Sequence, residues 1–146
     1  MKTTRRPQTG FSLIEILVVL VIIGLLIGIV APNVIDEVDE AQRDKVAADF
    51  RNIETALKLY RLDNFTYPTS EQGLVALSEQ PTLDPVPRNW RAYLDEEPTD
   101  PWGRPYLYLS PGENGEFDIY TLGADGISGG EGPNKDIGNW KTDDDS

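Results

Sequence analysis

Residues 11–31 of this chain read FSLIEILVVLVIIGLLIGIVA, and Glu15 is the one charged side chain in those 21 positions. At about 1.5 Å rise per residue, such a run makes a helix of about 30 Å, long enough to cross the hydrocarbon core of a bilayer. A carboxylate inside it is costly and needs a partner. The ten residues ahead are basic (Lys2, Arg5, Arg6) and end at Gly10, which favours a cytoplasmic N-terminus. From the residues alone two readings stay open. One is a single membrane anchor; the other is a secretory signal removed after its apolar core. For the signal, Val30-Ala31-Pro32 is a poor A-x-A cleavage site.

With 146 residues there is room for one domain besides the apolar segment. The net charge is −12, and residues 1–10 hold three of the 13 Lys and Arg but none of the 25 acids. The remainder is therefore more acidic still, which disfavours nucleic acid and anionic headgroups as partners and suits calcium. No Cys is present, so no disulfide staples the domain. No His is present either, which excludes histidine-based catalysis and histidine zinc sites. The acids are spread over turns and one helix face without a paired set, so an anchored enzyme is a poor reading.

Beyond Pro32, which interrupts and can kink a helix, apolar residues recur at Val34, Val38, Ala41, Val46, Phe50, Ile53, Leu57 and Tyr60. Steps of three and four make a helical stripe. The spacing predicts one helix over residues 12–62, about 75 Å long, stopped by Asp63-Asn64 and Tyr67-Pro68. Its first half is apolar all round, and its amphipathic second half needs a sheet to pack on. Thr69 and Gln72 have capping-box spacing ahead of Leu74, Val75 and Leu77, which predicts a short second helix. Residues 81–101 are proline-rich and read as loop, with room for a short strand at Tyr93-Leu94. Residues 106–109 and 117–121 have strand character around a turn at 111–115 containing Asn114-Gly115, which predicts a hairpin. Residues 122–140 read as glycine-rich loop, followed by a solvated acidic tail at 143–145. The fold class is α+β, with one very long helix on a small antiparallel sheet.

The 122–140 loop combines glycines, which permit sharp turns, with Asp and Asn oxygens. Calcium takes six to eight such hard ligands. The pattern is not an EF-hand, and no Lys-Ser/Thr pair or following helix makes it a phosphate loop. A plain acidic surface loop stays open beside a calcium site.

The opening Gly10-Phe11-Ser12-Leu13-Ile14-Glu15 and the apolar run behind it resemble the N-terminus of type IV pilin-like proteins. The resemblance implies cleavage between Gly10 and Phe11 by a prepilin peptidase, which also methylates the new N-terminal Phe11. It implies a partner for Glu15 in the Phe11 amino group of a neighbouring subunit. Residues 1–10 would be leader, 11–35 a membrane and then filament-core helix, and 36–146 a periplasmic pilin-like domain.

Pro101-Trp102-Gly103-Arg104-Pro105-Tyr106 and the Leu122-Gly123-Ala124-Asp125-Gly126…Asp136-Ile137-Gly138-Asn139-Trp140 stretch resemble, more narrowly, the major pseudopilins of type II secretion systems. That resemblance implies a homopolymeric helical filament, anchored by a single inner-membrane pass and later periplasmic. It would act with minor pseudopilins and an inner-membrane assembly platform in the export of folded proteins. It also implies a Ca²⁺ ion in the loop. Asp125 and Asp136 would be its carboxylate ligands, with the Leu122 carbonyl, one from Ile127 or Ser128, and Asn134. Calcium would then order residues 122–140 and dock Trp140 on the sheet. Relatives often have basic residues before the Pro-Trp-Gly motif that pair with acids on a neighbour's long helix. Here Asp95-Glu96-Glu97 stands there, and the helix offers Arg51, Lys58 and Arg61, which suggests the same pairing with reversed charges, notably Lys58 with Glu96. A solvated acidic loop is the alternative. A pilin of an adhesive or motility type IV pilus is the competing function; the missing Cys and the calcium-type loop argue against it.

Overall fold

In a computed structural model of the protein, residues 11–140 are described, residues 28–37 by their backbone alone. Gly10, the leader, the side chains of Pro32 and Val34, and the tail at 143–145 lie outside the described side chains. By internal contacts the chain divides into two compact units, Met1–Glu40 and Ala41–Ser146. One helix, α1 (Leu13–Asn64), is assigned without a break, through Pro32. Three strands follow, β1 (Leu107–Leu109), β2 (Asp118–Thr121) and β3 (Ile137–Gly138), with short 3₁₀ turns at Leu74–Leu77 and Gly132–Asn134.

In the first unit, every described side chain of residues 11–27 is exposed, including Phe11 and the aliphatics between Leu13 and Ile27. Among the described residues no helix is long and apolar enough to cross a membrane. The apolar run of the sequence continues through residues 28–31, whose side chains are not among those described.

In the second unit, α1 buries Val46, Phe50, Ile53, Leu57 and Tyr60, a stripe stepping by three and four. The stripe starts later than its sequence suggests: Val38 and Ala41 are exposed. Against it pack Leu74, Leu77, Tyr106, Phe117 and Ile119. Phe50 meets Tyr106 edge-on at 5.4 Å between ring centres, and Tyr106 donates its hydroxyl to Asp49 at 2.7 Å. Burial and the Asp49 carboxylate push the Tyr106 hydroxyl well above its ordinary pKa of 10.0. The hydroxyl thus remains a donor.

α1 ends where Phe65 takes a left-handed φ of 66°. That conformation usually falls to glycine at a helix C-terminus and costs a bulky residue about 1–3 kcal/mol. The Asn64 amide covers the Tyr60 carbonyl at 3.1 Å. The capping box forms reciprocally, with Gln72 N–H on Thr69 Oγ1 at 3.1 Å and Thr69 N–H on Gln72 Oε1 at 3.0 Å. It does not open an α-helix, however. Gly73 at φ 64° breaks the turn, and only the 3₁₀ segment follows.

The sheet order is β1-β2-β3, all antiparallel, with Leu107 opposite Tyr120 and Tyr120 opposite Gly138. The hairpin agrees with its sequence, whereas β3 emerges from a segment that reads as loop. Tyr93 and Leu94 do not form a strand. Both backbone N–H groups donate to the single Leu77 carbonyl, at 2.8 and 3.0 Å, which holds the chain in a bend.

Candidate metal centre and assembly face

The loop joining β2 to β3 folds back on itself. Ala124 N–H donates to the Pro133 carbonyl at 2.9 Å. Gly123, at φ 64°, lies so near the other limb that a Cβ there would come within 2.6 Å of the Asn134 carbonyl carbon. Any larger residue would force the limbs apart.

Ser128 and Asp136 are brought together, the Ser128 hydroxyl 3.4 Å from Asp136 Oδ2. Gly129 N–H donates to the same oxygen at 2.9 Å. The other oxygen, Asp136 Oδ1, is buried and has no hydrogen-bond partner among the described residues. A buried carboxylate oxygen left bare is costly and calls for a ligand. Asp125 is exposed, and its Oδ1 accepts from Ile127 N–H at 3.0 Å in a local turn. Asn134 enters through its backbone, against Gly123 and Gly130. Leu122 is half-buried beside a cavity of about 290 Å³ lined also by Asp100, Arg104 and Leu107. Among the described residues no group of three or more carboxylates converges. A metal here would therefore draw on carbonyls, hydroxyl and water, the hard oxygens that calcium accepts.

The Asn139 clasp and the buried Asp100 support the loop without a sequence signature. Asn139 N–H donates to the Ile119 carbonyl at 2.9 Å while Asn139 Oδ1 accepts from Ile119 N–H at 3.0 Å. Trp140 packs on Tyr120 of β2, ring centres 5.9 Å apart. The other support is Asp100, a side chain 1% exposed. It accepts from Thr121 Oγ1 at 2.7 Å, Trp102 N–H at 3.0 Å and Arg104 N–H at 2.8 Å. This carboxylate organises the Pro101-Trp102-Gly103 turn, whose spacing alone gave no sign of it.

Of the residues expected at subunit contacts, Glu15 lies exposed in the first turn of α1. Lys58 is exposed and 3.4 Å from Glu54, and Asp95, Glu96 and Glu97 are exposed. Arg61 is engaged within the chain, donating to Glu116 and Tyr67, so it is a poorer candidate for a neighbour than its position suggests. Its hydrogen bond holds the Glu116 carboxyl below its ordinary 4.5. Arg91 likewise holds Asp63 below 3.8.

A helix whose described apolar side chains at 11–27 are exposed and which continues into an acidic domain with a three-stranded sheet fits the type IV pilin-like class. Comparison with known proteins makes this narrower. Residues 5–31 match the family model of the prokaryotic N-terminal methylation motif, and residues 33–140 match that of type II secretion system protein G. The chain belongs to the type II secretion system protein G family. It is 51% identical to the type II secretion system core protein G of Pseudomonas aeruginosa over 138 residues, 93% of this chain and 97% of that protein. It is 50% identical to that of Vibrio cholerae over 141 residues, 95% and 96%. The crystal structure of the major pseudopilin of enterohaemorrhagic Escherichia coli matches with a TM-score of 0.66 and 47% identity, covering 75% of this chain and 95% of that one. The family is structural, so the chain is a component of secretion machinery and not an enzyme.

Proposed function

We propose that this chain is the structural major subunit of a periplasmic pseudopilus that helps export folded proteins across the outer membrane. The observation that carries the reading is the apolar surface of residues 11–27, exposed throughout in the single chain. Exposed apolar area on that scale is stable only against lipid or other subunits. Cleavage between Gly10 and Phe11 would expose a positive amino group for Glu15 of a neighbour. Residues 11–35 would first anchor the subunit in the inner membrane and then form the filament core, with minor pseudopilins and an assembly platform as further partners. In filaments, Lys58 of one subunit would face Glu96 of the next.

The 122–140 loop would hold Ca²⁺. Asp136 through its bare Oδ1, Asp125, carbonyls at Leu122 and Ser128, and the nearby Asn134 are the ligands we assign. Bound calcium would tie the loop down as a clip, stabilising the folded state in proportion to its occupancy. This takes the place of a disulfide.

Electron microscopy of filaments and secretion of a cargo protein by cells producing the Glu15→Ala chain test the subunit role. Loss of both, with the fold unchanged by circular dichroism, is expected. Normal filaments would overturn it.

A further inference from the structure

Two guanidinium groups grip the C-terminal loop from outside, each at a glycine carbonyl. Arg104 donates through Nη2 to the Gly123 carbonyl, two positions before Asp125. Its Nη1 occupies the space that a side chain on Gly126 would need. Arg43, exposed on α1, donates to the Gly132 carbonyl at 2.9 Å. One arginine therefore holds the limb leaving β2 and the other the limb returning to β3.

A cation beside a metal site has opposed effects. It repels the metal, and it fixes the backbone that ligates it. Here the repulsion is weakened. The buried Asp100 carboxylate lies 3.4 Å from Arg104 Nε and offsets its charge, while solvent screens Arg43. The positioning effect remains, since a charge-assisted hydrogen bond to the Gly123 carbonyl sets the direction in which the chain enters Ala124 and Asp125.

We infer that Arg104 is a positioning residue for the calcium loop, with Arg43 as a second tether linking the loop to α1. The inference rests on the calcium reading above. It makes the Pro-Trp-Gly-Arg turn part of the metal site without supplying a ligand. A lysine does not substitute, because one ammonium cannot fork between Asp100 and Gly123 as a planar guanidinium does.

The test is a calcium titration of the full-length chain in detergent, read by tryptophan fluorescence, with melting in chelator measured alongside. The calcium midpoint of Arg104→Ala is expected to rise about tenfold, equivalent to about 1.4 kcal/mol. Arg104→Lys should behave alike, Arg43→Ala should show a smaller rise, and melting in chelator, where Arg104→Ala also loses its pairing with Asp100, gives the metal-free baseline for each variant. Should Arg104→Ala fail to fold in chelator, Arg104→Gln, which keeps much of the packing, carries the test. An unmodified chain that binds calcium, with an Arg104 variant binding equally or more tightly, overturns the positioning role alone. No saturable response in the unmodified chain overturns the calcium reading and this role with it.

Discussion

Asn139 and Ile119 hold each other by two hydrogen bonds, one from the Asn139 backbone and one to its side chain. Through this clasp the two-residue strand β3 gains a third point of attachment to β2, and Trp140 is delivered onto Tyr120. Asn139→Ala leaves the buried Ile119 N–H without an acceptor. We expect a loss of about 1–3 kcal/mol, the cost of an unsatisfied buried donor. Urea unfolding should give this as a lower midpoint with an unchanged slope.

Under the proposed calcium site, Asp136 separates the contribution of the metal from that of the fold. In chelator, Asp136→Asn removes a charged buried oxygen that lacks a partner, so its melting point should match or exceed that of the unmodified chain. In millimolar calcium the order should reverse, because only the unmodified chain gains the ligand's free energy. Calorimetry of both chains in both conditions reads the crossing directly.

Acid should loosen the end of α1. The Asp63 and Glu116 carboxyls lie below their ordinary values because of Arg91 and Arg61. A carboxylate depressed in the folded state contributes stability that is full above its unfolded value and lost as pH falls through the folded one. The melting point should therefore drop on acidification below 4.5 and further below 3.8. In Asp63→Asn with Glu116→Gln that part of the drop should vanish. Both groups are exposed, so the effect should shrink in high salt.

The core prediction is simpler. Leu57, on α1, is fully buried in the core. Leu57→Ala should cost about 2–5 kcal/mol through lost burial and a residual cavity, measured by denaturant unfolding.

The long helix was legible because its periodicity extends over many turns: α1 ends within two residues of the expected stop. The hairpin was legible because two β-rich runs flank an Asn-Gly turn. The region between them was legible in its chemistry more than its geometry. The Thr69–Gln72 pair forms as expected, but the left-handed Gly73 diverts the chain into a 3₁₀ turn. β3 is too short to leave a pattern, and Ile137-Gly138 becomes a strand only because β2 offers a free edge. The tethers from Arg43 and Arg104 end on backbone carbonyls far along the chain, and Asp100 reaches the Thr121 hydroxyl 21 positions away. Such contacts leave no spacing rule behind. In the loop, the Ser128 hydroxyl lies 3.4 Å from Asp136 Oδ2, and Asp125 is held in a turn of its own.

The proposed contact between subunits is tested most directly by exchanging charges between Lys58 and Glu96. Both are exposed in the single chain, and exposed pairs contribute little singly, about 0–1 kcal/mol, but in the proposed filament this pair would repeat at every subunit. Filament yield and cargo secretion should fall in Lys58→Glu and in Glu96→Lys. They should return when both changes are made in one chain. Full assembly in either single variant, or no recovery in the double, would contradict the contact.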